Sequence, residues 1–130
     1  MKLVLIEDSE IIRRQMVRLL ADVSGLSVIG QADNEESALT LIRSTMPDVV
    51  LVDIGLAEGS GMKVLERARQ IGFGGKLFVL SNRDPDFYEM LCARHGADAF
   101  YDKAHGLDRL VADLQSTADA LKAQRGGQGA

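Results

Sequence analysis

The side chains of this sequence that could act together in chemistry each follow a short run of aliphatic residues. They are two adjacent acids, a third acid, a hydroxyl beside an amide, and an ammonium: Glu7, Asp8, Asp53, Ser81, Asn82 and Lys103. If the aliphatic runs are neighbouring parallel strands, spaced about 4.8 Å apart, the groups that follow them meet at one edge of a sheet. The sequence therefore predicts three carboxylates, a hydroxyl and an ammonium in one cluster.

Such a cluster has a specific chemistry. Carboxylates within a few ångströms of one another repel and raise one another's pKa values, and a hard divalent cation such as Mg²⁺ removes this conflict. Because Mg²⁺ keeps several waters, one or two direct carboxylate ligands are enough. Asp53 is then free to act as a nucleophile toward phosphorus. The charge of a phosphoryl group on Asp53 would be met by the metal, Lys103, the Ser81 hydroxyl and backbone N–H groups.

The elements that must position these groups are predicted by an alternation of aliphatic runs and amphipathic stretches. The runs are Leu3–Ile6, Val28–Gly30, Val49–Val52, Leu77–Leu80 and Ala99–Tyr101. Continuous aliphatic runs suit strands that are buried on both faces of a parallel sheet. Five strand–helix units in strict alternation predict an α/β fold, a doubly wound sandwich with a five-stranded parallel sheet in the order 2-1-3-4-5.

The stretches between the aliphatic runs have the periodicity of amphipathic helices. Apolar residues recur three and four positions apart, and the fifth stretch is the most regular. Its stripe consists of Leu107, Leu110, Val111, Leu114, Ala118 and Leu121. The fourth stretch has a weaker stripe, formed by Phe87, Leu91 and His95. We therefore expect five helices, one after each strand.

Local residue preferences indicate where two of these helices begin or end. Asp33, with Glu36 three positions later, is typical of a capping box at the start of the second helix. Pro47 predicts the end of that helix, because the residue before proline avoids the α region. Asp84 and Pro85 predict the start of the fourth helix, with an N-cap followed by proline at the first helical position.

Composition and charge restrict the class of protein. Of the 130 residues, 46% are hydrophobic and 26% are charged, as in soluble globular domains. We expect one domain over residues 1–123 and a flexible Gly-rich tail over 124–130. The net charge of −4 disfavours direct binding to nucleic acid, and no apolar run approaches the length of a membrane span. A lone Cys92 and an N-terminus without a signal-peptide pattern favour a cytoplasmic protein.

The segments that carry the chemistry also resemble a known family, the receiver domain of bacterial two-component response regulators. Each segment is weak alone, but their order and spacing together are specific, and the resemblance covers residues 2 to about 122. The matching segments are Leu3-Val4-Leu5-Ile6-Glu7-Asp8, Asp48-Val49-Val50-Leu51-Val52-Asp53, Gly61, Leu80-Ser81, Gly96-Ala97 and Phe100-Tyr101-Asp102-Lys103. The resemblance implies a Mg²⁺-dependent switch that accepts a phosphoryl group from a histidine kinase or a histidine phosphotransfer protein.

The resemblance also implies a role for individual residues at the metal and the acceptor. Asp53 corresponds to the phosphoacceptor. Asp8 corresponds to a direct Mg²⁺ ligand, and Glu7 to an acid that acts mostly through water. The carbonyl of Gly55 corresponds to a third protein ligand. We expect these four residues to form the metal and acceptor site, with no enzymatic activity beyond phosphorylation and dephosphorylation of the chain itself.

Three further residues correspond to the part of the family's site that senses the phosphoryl group. Ser81 occupies the switch position that hydrogen-bonds to it, and Lys103 pairs with one of its oxygens. Phe100, three residues before the lysine, matches the aromatic residue that turns inward when the hydroxyl moves. The family's usual surface for a partner or a homodimer lies on the fourth helix, fifth strand and fifth helix.

The sequence departs from the family's pattern at three positions near the site. Ala104 follows Lys103 where proline is usual, often with a cis bond; without proline a cis bond costs about 3 kcal/mol, so a trans bond or a reshaped loop is favoured. Ala57 also replaces a usual proline. Asn82 stands where a small residue commonly gives access to the phosphorus. These departures bear on reaction rates and on the switch more than on the identity of the site.

Several of these residues also have purely structural interpretations. Acids at strand ends often cap the next helix. Lys103 can form an ion pair with Asp53 or Asp102, and Phe100 can be only a core aromatic. The arginines of the first helix, Arg13 among them, suit either a docking surface for a kinase or, more commonly, a solvated helix face.

Our first interpretation is a stand-alone phosphorylation switch, and three others stay open. The chain is compatible with the N-terminal receiver of a longer regulator that carries a DNA-binding or enzymatic module. It is also compatible with a receiver-like binding module that is not phosphorylated. A flavodoxin-like cofactor-binding protein would need a Ser/Thr/Gly-rich phosphate loop after the first strand, where this chain has Glu7 and Asp8.

Overall fold

The computed structural model describes residues 1–55, 61–82 and 85–128. Within these ranges five strands alternate with five helices. In chain order they are β1 (Lys2–Ile6), α1 (Glu10–Leu20), β2 (Ser27–Ala32), α2 (Glu35–Thr45), β3 (Val49–Asp53), α3 (Gly61–Gln70), β4 (Lys76–Ser81), α4 (Pro85–Arg94), β5 (Ala99–Asp102) and α5 (Leu107–Gln128). Each predicted aliphatic run lies within a strand, as expected for segments without helical periodicity.

The strands form one parallel sheet in the order β2-β1-β3-β4-β5, so the predicted fold class and strand order are confirmed. Leu3 of β1 pairs with Val49 of β3, and Val49 in turn pairs with Lys76 of β4. On the other side of β4, Phe78 pairs with Ala99 of β5. Because the strands are parallel and nearly in register, the ends of β1, β3, β4 and β5 lie along one edge of the sheet.

Each face of the sheet carries its own apolar core, because alternate residues of a strand point to opposite faces. Leu51 packs with residues of α1 and α5, whereas its neighbours Val50 and Val52 pack with residues of α2, α3 and α4. All five residues of β3 are buried. The sheet is therefore covered by helices on both sides, and β3 lies at its centre.

The helical stripes predicted from sequence differ in accuracy between α5 and α4. In α5, Leu110 and Leu114 are fully buried, as the stripe predicts. The stripe predicted for α4 is wrong at Phe87, which is 63% exposed, whereas Cys92 of the same helix is fully buried. Partly buried Tyr88 also packs on the core, so the helix is rotated relative to the prediction.

The structure corrects one helix boundary and confirms another. The N-cap of α2 is Asn34 rather than Asp33, because Asn34 has an extended backbone and its side chain accepts a hydrogen bond from the amide of Ser37. Helix α2 ends before Pro47, as expected, with Met46 in the left-handed conformation. Pro85 is the first residue of α4.

Three sequence predictions concern residues at the limits of the described ranges. Asp84 as an N-cap and the departure at Ala57 both lie outside the described residues. Helix α5 continues to Gln128 and so runs across residue 124, where the tail is predicted to start. Among the helices of the described ranges, none has the length and apolar character that a membrane crossing requires.

Candidate functional site

The edge of the sheet at the ends of β1, β3 and β5 holds the predicted cluster of charged groups. Glu7 and Asp8 follow β1 directly, Asp53 is the last residue of β3, and Lys103 follows β5. One carboxylate oxygen from each of the three acids lies within 4.8 Å of the other two. Glu7 and Asp53 are buried, and Asp8 is more exposed.

The ammonium of Lys103 lies between the two buried carboxylates. Its Nζ donates to Oε1 of Glu7 at 3.0 Å and to Oδ2 of Asp53 at 3.1 Å. The other oxygen of Asp53, Oδ1, accepts a hydrogen bond of 2.9 Å from the amide of Gly55. Asp53 is therefore held through both oxygens, one by a side-chain cation and one by the backbone.

The electrostatic balance of this cluster is unequal, because two buried carboxylates face one ammonium. Burial and the hydrogen bond to Asp53 raise the pKa of Glu7 to about 8, although Lys103 opposes the shift. Burial alone would raise the pKa of Asp53, but hydrogen bonds from Glu7, the Gly55 amide and Lys103 lower it. The raised pKa of Glu7 favours a proton on this carboxyl in the absence of metal, which would balance the charges of Glu7, Asp53 and Lys103.

A cavity of about 340 Å³ opens at this edge beside the reactive groups. It is lined by Asp53, Gly55, Ser81, Asn82 and Lys103. Ser81 is fully buried at the end of β4, and its carbonyl accepts a hydrogen bond of 2.9 Å from the amide of Lys103. The hydroxyl-bearing residue and the lysine are thus joined through the backbones of neighbouring strands.

The donor set at this edge suits a hard divalent cation. Carboxylate oxygens are preferred ligands of Mg²⁺, and three of them converge here. A cation would also neutralise the surplus negative charge that otherwise holds a proton on Glu7. We infer from the chemistry of these ligands that the cluster fits Mg²⁺.

Arg13 and Asp102, which are not among the predicted site residues, make hydrogen bonds that stabilise the loops of the site. Nη1 of Arg13 in α1 donates to the carbonyl of Glu7 at 2.8 Å, which fixes the loop that carries Glu7 and Asp8. The sequence analysis favoured a solvated face for the arginines of this helix. The signal that could have indicated the contact is the position of Arg13, one turn after the start of the helix. The second residue is Asp102, whose Oδ1 accepts a hydrogen bond of 2.9 Å from the amide of Ala104.

Glycine is required at the start of α3, where that helix approaches the acceptor strand. A Cβ atom on Gly61 would lie 2.3 Å from Cα of Ile54 and 2.5 Å from the carbonyl oxygen of Asp53. Both atoms belong to the backbone and have no room to shift without moving Asp53 itself. The spacing of eight residues between Asp53 and Gly61 thus reflects a close contact of two backbones.

The structure also places the residues predicted for the switch. Phe100 is 5% exposed and belongs to the core that packs against α2, α3 and α4. Its carbonyl accepts a hydrogen bond from Arg109 of α5. No cis peptide bond occurs in the described part of the chain, so Lys103 and Ala104 are joined by a trans bond, which was one of the two expectations for this position.

Comparisons with known proteins agree with this geometry. The sequence profile of the response regulator receiver domain family matches residues 3–115. A putative transcriptional regulator of Pseudomonas aeruginosa is 33% identical over 111 residues, which are 85% of this chain and 54% of that protein. The virulence factors putative positive transcription regulator BvgA of Bordetella pertussis is 32% identical over 108 residues, which are 83% of this chain and 52% of that protein. The chain thus spans about half the length of these relatives.

Solved structures give the same result for the fold. The signal receiver domain of the putative response regulator NarL from Mycobacterium tuberculosis superposes with a TM-score of 0.81 at 25% identity, covering 91% of this chain and 95% of that one. A two-component response regulator of the LuxR family from Aurantimonas gives a TM-score of 0.84 at 22% identity, with coverage of 92% and 85%. At that level of identity, the second likeness concerns the fold alone.

Proposed function

We propose a phosphoacceptor function for this chain, which belongs to the response regulator receiver domain family. The carboxylate of Asp53 attacks the phosphorus of a phosphohistidine on a histidine kinase or a histidine phosphotransfer protein. A P–O bond to Asp53 forms as the P–N bond breaks, and the imidazole leaves with the electron pair and takes up a proton. Water later attacks the phosphorus, the P–O bond to Asp53 breaks, and the carboxylate is restored as inorganic phosphate leaves.

The observation that carries this proposal is the position of Lys103. Its ammonium lies 3.0 Å from Glu7 and 3.1 Å from Asp53, beside the carboxylate that would attack. A phosphoryl donor has anionic oxygens, which a carboxylate nucleophile repels unless cations lie next to it. Lys103 provides one positive charge. Because it cannot neutralise both Glu7 and Asp53, the cluster can also bind a second cation.

That second charge would be Mg²⁺, held by Asp8, Asp53 and the carbonyl of Gly55, with Glu7 acting through water. When bound, the ion offsets the carboxylates and supplies positive charge for the phosphoryl oxygens. The support for this assignment is the convergence of three carboxylate oxygens within 4.8 Å. The Gly55 amide donates to Oδ1 of Asp53, which keeps Gly55 next to the acceptor carboxylate.

The chain's own residues then hold the phosphorylated state. Lys103 would turn from Glu7 toward an oxygen of the new phosphoryl group, and the Ser81 hydroxyl would donate a hydrogen bond to another. Both residues line the cavity that contains Asp53, and both are tied to neighbouring strands. Asn82 lies at the rim of the same cavity, where its amide would slow the entry of a donor or of hydrolytic water.

The proposed output is a change of surface that controls a partner protein. Ser81 moves toward the phosphoryl group, and Phe100 responds because β4 and β5 are adjacent strands. The surface that changes comprises α4, β5 and α5, and it would bind the partner or a second copy of the chain in the cytoplasm. The partly exposed Tyr88 and the exposed Phe87 give α4 an apolar surface for such a contact.

A second candidate is favoured by the length of the relatives. The chain covers 54% and 52% of two proteins that are named as transcriptional regulators. We infer that the receiver could equally serve in a longer chain with a DNA-binding module, in which case the same surface would act on that module rather than on a separate partner.

The experiment that tests the phosphoacceptor function is intact-mass spectrometry after incubation with Mg²⁺ and acetyl phosphate. We expect one added phosphoryl group on the unaltered protein. Asp53→Asn and an excess of EDTA should each abolish the adduct. Asp48→Asn is the matched control, because Asp48 immediately precedes the same strand, far from the acceptor end, and it should leave the adduct intact.

The contrary result is equally clear. A folded protein that gains no phosphoryl group, and that also fails to bind beryllofluoride, would overturn the proposal. An adduct that survives in Asp53→Asn would place the acceptor on another residue. If the protein accepts neither a phosphoryl group nor beryllofluoride, a receiver-like binding module that is not phosphorylated would be the better interpretation.

A further inference from the structure

The loop after β5 is organised around the side chain of Asp102. Its Oδ1 accepts a hydrogen bond of 2.9 Å from the amide of Ala104, and its Oδ2 lies 3.3 Å from Nδ1 of His105. A carboxylate that accepts from the amide two residues later closes a turn that imitates a backbone turn. Asp102 thus fixes the conformation of the residue in between, Lys103.

The carbonyl of Asp102 closes the same turn from the backbone. It accepts hydrogen bonds from the amide of Gly106 at 2.7 Å and from that of His105 at 3.3 Å. Glycine is required at 106 because a Cβ there would lie 2.8 Å from this carbonyl oxygen and 2.9 Å from the Asp102 nitrogen. The loop is therefore tightly wound on Asp102, through its side chain and its backbone together.

Lys103 is consequently held on both sides of its Cα atom. On one side its own amide donates to the carbonyl of Ser81 at 2.9 Å, and on the other the amide of Ala104 is held by Asp102. The lysine side chain is flexible along four methylene groups, so the position of its Nζ depends on where the backbone starts. Outside the sheet, the Asp102 side chain provides the hydrogen bond nearest to the lysine, and the carbonyl of Asp102 adds those to His105 and Gly106.

We propose that Asp102 is a positioning residue for Lys103, and that its carboxyl oxygen keeps the ammonium against Glu7 and Asp53. Asp102 does not touch the reacting atoms, and it acts only through the turn it closes. The consequence for the reaction rests on the proposed phosphoacceptor function, because Lys103 meets the phosphoryl group there. A displacement of the ammonium by about 1 Å is enough to lower a rate by tenfold or more.

An opposite effect of Asp102 follows from its charge. A negative group near the site repels an anionic phosphoryl donor, so loss of the charge alone would speed up phosphorylation. Two substitutions separate the contributions. Asp102→Asn removes the charge but keeps an oxygen that accepts from the Ala104 amide, whereas Asp102→Ala removes both. Asp108→Ala is the control, because Asp108 is a nearby exposed acid in the first turn of α5.

The first measurement is the initial rate of phosphorylation by acetyl phosphate at saturating Mg²⁺. We expect Asp102→Ala to be slower than the unaltered protein by about tenfold. Asp102→Asn should stay within about twofold of it or exceed it, and Asp108→Ala should be unchanged. Equal rates for Asp102→Ala and Asp102→Asn would overturn the proposal, since the carboxyl oxygen would then have no positioning effect.

The second measurement does not need phosphorylation, so it separates this proposal from the proposed function. In the metal-free protein, the ¹H–¹⁵N signals of the Lys103 ammonium and of the Ala104 amide report the two contacts directly. We expect the ammonium signal to move or disappear, and exchange of the amide to accelerate, in Asp102→Ala but not in Asp102→Asn. An unchanged ammonium signal in a folded Asp102→Ala protein would refute the positioning role, even if no phosphoryl group is ever accepted.

Discussion

Strand β3 is preceded by one aspartate, Asp48, and ends in another, Asp53, and the two have different electrostatic surroundings. Asp48, which precedes the strand, accepts a hydrogen bond of 2.7 Å from the amide of Lys2 and one of 3.1 Å from Arg125. Asp53, which ends it, likewise accepts one bond from a backbone amide and one from a side-chain cation. The partners are equivalent in kind, yet among the described residues only the second aspartate lies beside another buried carboxylate, that of Glu7.

This difference separates a stabilising ion pair from a reactive site. At Asp48, burial alone would raise the pKa, but the Lys2 amide and the charge of Arg125 lower it, so the ionised form stabilises the fold. At Asp53 the cation is shared with Glu7, so that one ammonium pairs with two carboxylates. The Asp53 end of the strand has more negative than positive charge, so it can bind a cation and react with a phosphoryl donor.

The largest effect that tests this contrast is the dependence of stability on pH. The pKa of Glu7 is raised to about 8 by burial and by Asp53, so the metal-free folded protein binds a proton that the unfolded chain has released above about pH 4.5. Stability should therefore fall as the pH rises from 5 to 7. The slope of the free energy of unfolding approaches about −1.4 kcal/mol per pH unit for one proton.

Urea titrations of the protein in EDTA, with and without Glu7→Gln, measure this effect. Glu7 is faced by the amide of Asp8 and by the charged groups of Asp53 and Lys103, which all stay in the variant. The difference in stability between the two proteins should grow with pH in favour of Glu7→Gln. Parallel curves would mean that Glu7 is ionised throughout, and that the two ends of β3 are electrostatically alike.

The next effect is stabilisation by Mg²⁺, which only the Asp53 end should show. A ligand that binds the folded state alone, at ten times its dissociation constant, stabilises by about 1.4 kcal/mol. We expect this gain in the unaltered protein and in Asp48→Asn, and its loss in Asp53→Asn. Thermal unfolding at a series of MgCl₂ concentrations measures it, with NaCl of equal ionic strength as the control. The same gain in all three proteins would indicate a general salt effect instead of a site.

The sequence predicted the fold and the composition of this site because both depend on regular features. Parallel strands end at one edge, so Glu7, Asp53 and Lys103 had to meet once the strands were recognised. The sharing of Lys103 between two carboxylates was not predictable in the same way. It depends on side-chain conformations and on a loop whose turn is closed by Asp102, and no periodicity reports either one.

The errors of the sequence analysis occur where local signals compete. Asp33 and Asn34 are both good N-cap residues, and it is Asn34 that has the extended backbone and accepts from the amide of Ser37. In α4 the side of the helix that packs on the core contains Tyr88 and Cys92, not Phe87 of the weak predicted stripe. Both cases were settled by tertiary contacts that a linear pattern does not contain.

A smaller effect is expected from removal of Asp48 itself. Asp48→Ala leaves the amide of Lys2 without its acceptor and Arg125 without its partner, so it should destabilise the protein by about 1 kcal/mol. Asp48→Asn keeps an acceptor for the amide and should lose less. Urea unfolding at pH 7 compares the two, and destabilisation of the same size in both would assign the effect to the charge rather than to the hydrogen bond.

The smallest expected effect is that of removing Arg125, the cation that pairs with Asp48. Arg125 is 56% exposed where it meets Asp48, whereas Lys103 is 15% exposed between its two carboxylates. An exposed ion pair contributes little, so Arg125→Ala should lower the free energy of unfolding by less than about 0.5 kcal/mol, and added NaCl should remove the difference. Urea unfolding in low and high salt is the measurement. A loss above about 1 kcal/mol that persists in high salt would show that Arg125 holds the end of α5 through more than charge, and Asp48 would then be as dependent on its cation as Asp53 is.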